Sequence, residues 1–313
     1  MDVKELSYPD ASAERRTTLI VVTGPTGVGK TELCLDIALH LQVPIINADS
    51  RQIYAELPIG TAAPTRRQTD IVKHYFVGTL KLTDYYSAAM YESDVVSLLE
   101  RLFAESDVAL LAGGSMMYID AVCDGIDDIP TVPDDVRQQM RLRLEREGLD
   151  ALCNELREID PEYYAIVDLH NPRRVVHALE ICHTAGQTYT SLRKNTRKER
   201  PFRLLKIGLT RPRDELYKRI DNRVDCMIQA GLVDEARAVY PMRGLNALNT
   251  VGYKELFACF DGQLTLDEAI QRIKSSTRRY CRKQLTWLKK DERTTWFNPD
   301  DKQSVIQYID DNI

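Results

Sequence analysis

The residues best suited to chemistry lie in one short stretch, Gly24-Pro25-Thr26-Gly27-Val28-Gly29-Lys30-Thr31. The spacing G-x-x-x-x-G-K-[ST] is that of a phosphate-binding loop. It sits here between a β-branched run at 17–23 and an apolar, helix-length segment at 31–41. In that setting successive backbone N–H groups and the positive end of the following helix bind anionic oxygens. Lys30 supplies a point charge for the outer phosphate, and the Thr31 hydroxyl is a candidate Mg2+ ligand. Many hydrolases add an acid at the end of a second apolar strand. The best such strand, VALLAGGS at 108–115, ends instead in Gly113-Gly114-Ser115, and the GTPase motif [NT]-K-x-D is absent. The carboxylate on offer is Asp49, which closes VPIINAD at 43–49. A phosphate cradle with one carboxylate and no hydrolase set points to group transfer, with Asp49 as a base toward an acceptor. A strand-end aspartate also reads as a cap or a metal-shell residue.

Four strands are expected to position these groups: 17–23, 43–50, 107–115 and 203–210. The third is continuous and apolar, as strands buried on both faces are. Strands alternating with helical stretches argue for an α/β fold with a parallel sheet. Its ligands would lie at the carboxyl ends of the strands, where Gly24–Thr31, Asp49 and Gly113–Ser115 fall. The chain divides on this reading into a core at 1–124, a helical insertion at 125–200, and a core completion with C-terminal helices at 201–313. A long amphipathic helix is expected over 265–290, with Leu266, Ala269, Ile270, Ile273, Thr277 and Tyr280 on one face. Trp287 near its end reads as a core aromatic more readily than as a stacking surface.

The net charge of −5 argues weakly against a polyanionic partner, but the charges are not evenly spread. Segment 193–203 holds six basic residues and one acidic one, and segment 278–290 holds six basic and no acidic residue. Such clustering is either a polyanion footprint or two solvated faces. No apolar run approaches the length of a membrane span. The first 18 residues are polar and lack a signal peptide's apolar centre, so a cytoplasmic protein without a membrane partner is expected. The nearest two of the seven cysteines, Cys259 and Cys281, lie 22 positions apart. That excludes a C-x-x-C zinc site and suits reduced, mostly buried thiols.

Nine blocks run in order from Gly24 to Lys289: GPTGVGKT, NADSRQIY, IGTAAP, YSAA, LLAGGSMMY, HNPRRVVHALEI, GLTRPRDELYKRIDNRV, NTVGYKE and RKQLTWLK. Together they resemble the bacterial tRNA dimethylallyltransferases (tRNA isopentenyltransferases). The resemblance implies a P-loop NTPase-like core with an RNA-gripping helical insertion. It also implies transfer of a dimethylallyl group from its diphosphate to the exocyclic amine of the tRNA adenosine just 3′ of the anticodon. The Gly24–Thr31 loop (Gly24, Pro25, Thr26, Gly27, Val28, Gly29, Lys30, Thr31) would then hold dimethylallyl diphosphate rather than ATP. Asp49 would be the general base, Thr31 would serve diphosphate and Mg2+, and Arg223 would neutralise the leaving group. The RNA-contacting positions carried over are Asp49, Ser50, Arg51, Gln52, Ser115, Arg137, Arg173, Arg174, Val175, Val176 and His177. They continue with Asn249, Thr250, Val251, Gly252, Tyr253, Lys254, Arg282, Lys283, Gln284, Trp287 and Lys289. The resemblance also implies the tRNA anticodon stem-loop as partner, and a monomer is expected. Ala63 stands where the family commonly has lysine. A P-loop small-molecule kinase and a transferase acting on free AMP share the loop and remain open at this point.

Overall fold

The structure is a computed structural model that describes residues 17–194 and 196–313. The polar N-terminal segment read above therefore lies outside the described residues, except for its last two positions. The elements run β1 (Thr18–Thr23), α1 (Lys30–Leu41), β2 (Ile45–Ala48), α2 (Arg66–Ile71), β3 (His74–Tyr75), α3 (Ala88–Glu105), β4 (Val108–Gly113) and α4 (Met116–Asp124). Next come α5 (Asp134–Ile159), α6 (Pro161–Ile166), α7 (Pro172–Ala185) and α8 (Tyr189–Leu192), then β5 (Arg203–Leu209). The chain closes with α9 (Arg213–Gln229), α10 (Leu232–Val239), α11 (Tyr253–Phe260), α12 (Leu266–Leu288), β6 (Thr294–Phe297) and α13 (Lys302–Asp310).

The six strands form one parallel sheet in the order β3-β2-β4-β1-β5-β6. The four strands expected from the sequence are β1, β2, β4 and β5; β3 and β6 are two short edge strands beyond them. Alternate residues of the central strands face opposite layers. Ile20 and Val22 of β1 pack with Leu33, Ile37 and Ala38 of α1 and Leu216 and Ile220 of α9. Leu19 and Val21 pack with Tyr91, Val95 and Leu99 of α3 and Ile119 and Val122 of α4. Both faces are covered, which is why these strands read as unbroken apolar runs. Each fully buried Leu, Ile or Val contributes about 1.5–3 kcal/mol, so this layer holds the strand ends in place.

The chain splits into two compact units, one formed by residues up to Cys123 with Arg200–Ile313, the other by Asp124–Glu199. Among the described residues the second unit has helices and no strand. Its core brings Met140, Leu152 and Leu156 of α5 together with Val175, Ala178 and Leu179 of α7. Gly148, at φ 81°, breaks α5. Asp160 is 1% exposed and fully used: it accepts from Tyr163 N (3.0 Å), Thr190 N (2.8 Å) and Thr190 Oγ1 (2.8 Å), tying α6 to α8.

The long helix starts at a capping box, with Thr265 and Glu268 exchanging side-chain and backbone bonds. Its buried stripe runs through Ala269, Ile273, Cys281, Gln284 and Leu288. The expected face is therefore corrected at both ends: Leu266 and Tyr280 are exposed, and Cys281 takes the inward position. All seven cysteines are free, five of them buried. Among the described residues no helix is long and apolar enough to cross a membrane.

Candidate active site

The phosphate loop leaves β1 at Thr23 and enters α1 at Lys30. Gly27 (φ 81°) and Gly29 (φ 108°) occupy the left-handed region, where a side chain is strained. A Cβ on Gly27 would meet Ile220 Cγ1 at 3.0 Å, so α9 packs directly beneath the loop. From α9 two arginines spaced i, i+4 reach it: Arg219 Nε donates to Gly27 O (2.9 Å) and Arg223 Nη1 lies 3.4 Å from Thr26 Oγ1. Arg211, ahead of that helix, donates to Val28 O at 2.8 Å. Lys30 Nζ donates to the carbonyls of Gly24 (2.8 Å) and Pro25 (3.0 Å).

Burial, then the charge of Arg223, pulls the Lys30 ammonium down from 10.5 to about 8, while Asp49 acts in the opposite sense. Burial likewise lowers Arg223, against support from Asp49. Among the described residues neither cation makes an ion pair. Two half-buried cations without an ion-pair partner, beside glycine-rich backbone, make a setting suited to an anion.

Asp49 follows β2 at the lip of this cradle. Its Oδ1 accepts from Arg51 N (2.9 Å) and Gln52 N (3.3 Å), which fixes the carboxylate; Oδ2 has no protein donor among the described residues. It is thus a turn cap and an available base at once. The neighbouring strand end is stitched to it: Ser50 N donates to Ser115 Oγ (2.8 Å), and Ser115 N donates to Ala48 O (3.1 Å). Gly113 is required there, because a Cβ would fall 2.1 Å from Ala48 O. Tyr118 stacks on Tyr91 at 4.1 Å behind this edge. Thr31 is exposed on the first turn of α1.

The residues expected at the RNA divide sharply. Arg282, Lys283, Trp287 and Lys289 are exposed on or just after α12. Arg282, Lys283 and Trp287 line an open groove with Met116, Arg279, Thr286 and Lys290. Trp287 is 41% exposed and its Nε1 donates to Asp120 (2.8 Å), which corrects the expectation of a core aromatic. Cations set around an exposed ring suit a nucleic-acid strand, whose bases stack and whose phosphates need charge. In the second unit Asn171 caps α7, Pro172 takes its first position, and Arg173, Arg174 and His177 are exposed beside them. Arg137 Nε donates to Val132 O at 3.2 Å. Asn249, Thr250 and Val251 are half-buried and Lys254 is exposed.

Six of the expected contacts face inward, Ser115 (8% exposed) among them. Val175 is 0% exposed in the core of the second unit, and Val176 packs against that core. Gly252 is buried, and Tyr253 is fully buried with its hydroxyl donating to Glu235 (2.6 Å). Glu235 in turn accepts from Ile59 N and Gly60 N, both at 2.8 Å. Gln284 is 2% exposed. The contacts of these residues lie within the protein rather than at its surface. Gln52 is also engaged, donating to Thr61 O (3.0 Å) and Ala62 O (3.1 Å).

The IPP transferase family profile matches residues 52–291. The chain belongs to that family. A tRNA dimethylallyltransferase 1 of Phocaeicola vulgatus is 63% identical over 93% of this chain and 97% of its own length. The corresponding protein of Bacteroides fragilis is 60% identical over 95% and 98%. Among solved structures, the full-length tRNA isopentenylpyrophosphate transferase of Bacillus halodurans superposes with a TM-score of 0.70 at 32% identity, covering 95% of this chain and 96% of that one. The family's α/β core is the sheet described above. Arg211, Arg219 and the bridging role of Gln284 were not anticipated from the sequence. The i, i+4 spacing of Arg219 and Arg223 was the available signal, since it puts both on one face of α9.

Proposed function

We propose that this protein transfers the dimethylallyl group of dimethylallyl diphosphate to the exocyclic amine of the tRNA adenosine immediately 3′ of the anticodon, at position 37. The observation that carries this reading is the pair of half-buried cations, Lys30 and Arg223, without an ion-pair partner, beside a carboxylate with one oxygen that no protein donor reaches among the described residues. Relatives 60–63% identical to this chain are named tRNA dimethylallyltransferase 1, which supports the reading. The amine attacks the allylic C1, and the C1–O bond breaks with its electron pair leaving on the diphosphate. Asp49 Oδ2 takes the amine proton, which matters because an adenine amine is a weak nucleophile. Lys30, Arg223 and the loop N–H groups are in place for the charge that develops on the leaving group. Water needs no activation, which suits the missing hydrolase acid.

Among the described residues no three His, Cys, Asp or Glu side chains cluster as a metal site. An exposed threonine hydroxyl at the phosphate loop fits Mg2+, which takes few protein oxygens and completes its shell with substrate phosphates and water. Thr31 would hold that ion, which would supply further neutralisation of the diphosphate. The exposed cations of α12 and α7 would hold the anticodon stem-loop, with the protein acting as a cytoplasmic monomer. Incubating the protein with dimethylallyl diphosphate and unmodified tRNA, then digesting the tRNA for nucleoside mass spectrometry, tests the proposed transfer. The expected product is an adenosine heavier by one C5H8 at position 37. Consumption of ATP, or prenylation of AMP in preference to tRNA, would refute the reading.

A further inference from the structure

Gln284 is the polar member of an otherwise apolar buried stripe on α12 and is only 2% exposed. Its amide spans two elements: Oε1 accepts from Thr26 N (2.9 Å) in the phosphate loop, and Nε2 donates to Gly114 O (2.8 Å) at the end of β4. The surrounding crowding is tight. A Cβ at Gly114 would lie 2.7 Å from Gln284 Nε2, 3.4 Å from Gly24 O and 3.5 Å from Lys30 Nζ. One point is thus shared by the bridging amide, the first loop carbonyl and the loop lysine.

We infer that Gln284 is a positioning residue for the diphosphate cradle rather than an RNA contact: its two hydrogen bonds set the rising limb of the loop against the end of β4. The consequences follow along the loop. Thr26 carries the hydroxyl beside Arg223, and Gly24 and Pro25 carry the carbonyls that hold Lys30. A shift of Thr26 therefore moves the partners of both cations together. Removing the amide strands a buried N–H and a buried C=O, and the loop relaxes to satisfy them. Misplacing charged groups by about 1 Å is enough for large losses in binding or turnover. The neighbours Arg282 and Lys283 point outward on the same helix turn, so the helix that carries exposed cations also anchors the loop.

The inference rests on the diphosphate reading of the loop, and the probe is inorganic diphosphate, so that it is tested apart from prenyl transfer. Calorimetric titration of the full-length chain and its Gln284→Leu variant is paired with binding of an anticodon stem-loop RNA. The expected result is a diphosphate Kd raised about ten-fold or more, with the RNA Kd within about two-fold of wild type. An unchanged diphosphate Kd in folded Gln284→Leu, or loss confined to RNA binding, would overturn it. Should that variant not fold, Gln284→Glu keeps the shape and the acceptor for Thr26 N while placing a carboxylate near Lys30. It should weaken diphosphate binding and move the alkaline limb of that binding, set by Lys30, to higher pH; an unmoved limb and Kd would sink the proposal. Wild type that binds diphosphate but fails to prenylate RNA would count against the function proposed above and not against this role.

Discussion

Replacing Lys30 by methionine should stabilise the protein while abolishing diphosphate binding. The half-buried ammonium is held beside Arg223, and desolvation with that neighbouring charge lowers its pKa from 10.5 to about 8. That difference is equivalent to about 3 kcal/mol against folding at neutral pH. Methionine has similar length and no charge. Against the gain stand two lost hydrogen bonds to Gly24 O and Pro25 O, each worth about 1 kcal/mol. The expected net gain is about 1 kcal/mol, a rise in Tm of about 2 °C for a chain of this size. The sign of the pH dependence is fixed by the direction of the shift. A lysine depressed in the folded state penalises folding fully below about pH 8. The penalty fades as pH rises toward 10.5, because the unfolded chain then binds more protons. Wild type should therefore gain on Lys30→Met between pH 8 and 10.5 and overtake it. Urea titrations of both proteins at pH 7, 8, 9 and 9.5, without diphosphate, measure this. A variant less stable at pH 7 by an amount that does not change with pH would refute the electrostatic reasoning. Added diphosphate should reverse the ranking, since only wild type gains the binding free energy.

Asp49→Asn keeps the acceptor that caps Arg51 N and Gln52 N but cannot take a proton at neutral pH; kcat should fall about 10²–10⁴-fold, with RNA and diphosphate Kd unchanged. Loss of binding along with turnover would show a cap alone. Arg173→Ala with Arg174→Ala should weaken stem-loop binding and reduce the slope of log Kd against log salt by about 1–2; an unaltered slope would exclude phosphate contacts. Asp160→Ala strands Tyr163 N, Thr190 N and Thr190 Oγ1, and should destabilise residues 124–199 by about 2–4 kcal/mol. Hydrogen exchange should rise over 161–192 and not in β1 or β4; a uniform rise would contradict a local effect.

The strands that carry the site were legible because they are buried on both faces. β1 and β4 read as continuous apolar runs, and their carboxyl ends point to the cradle with no further information. The edges were not legible for the complementary reason: His74–Tyr75 is too short to show a period, and Thr294–Phe297 is half-buried throughout. The loop glycines were legible from spacing alone. Arg223 was not; its role came from resemblance, and geometry then supplied the reason, a helix packed under Gly27 that can only present i, i+4 arginines to the loop. Trp287 was misread because an aromatic at the end of an amphipathic helix was weighed by type and not by phase.

Phase also separates the two kinds of residue in RKQLTWLK. From Ile273 the buried positions of α12 advance, past half-buried Thr277, to Cys281, Gln284 and Leu288, in steps of four or three. Arg282, Lys283, Thr286 and Trp287 fall between these steps and face outward. A glutamine in that stripe is costly unless both ends of its amide are bonded. Leucine at the same place would pack as well by size, so the polar residue is explained by what it bonds. Both of its partners belong to the cradle, and neither is on the basic face. The same eight residues therefore divide by helical phase between an exposed cationic surface and the support of a phosphate loop.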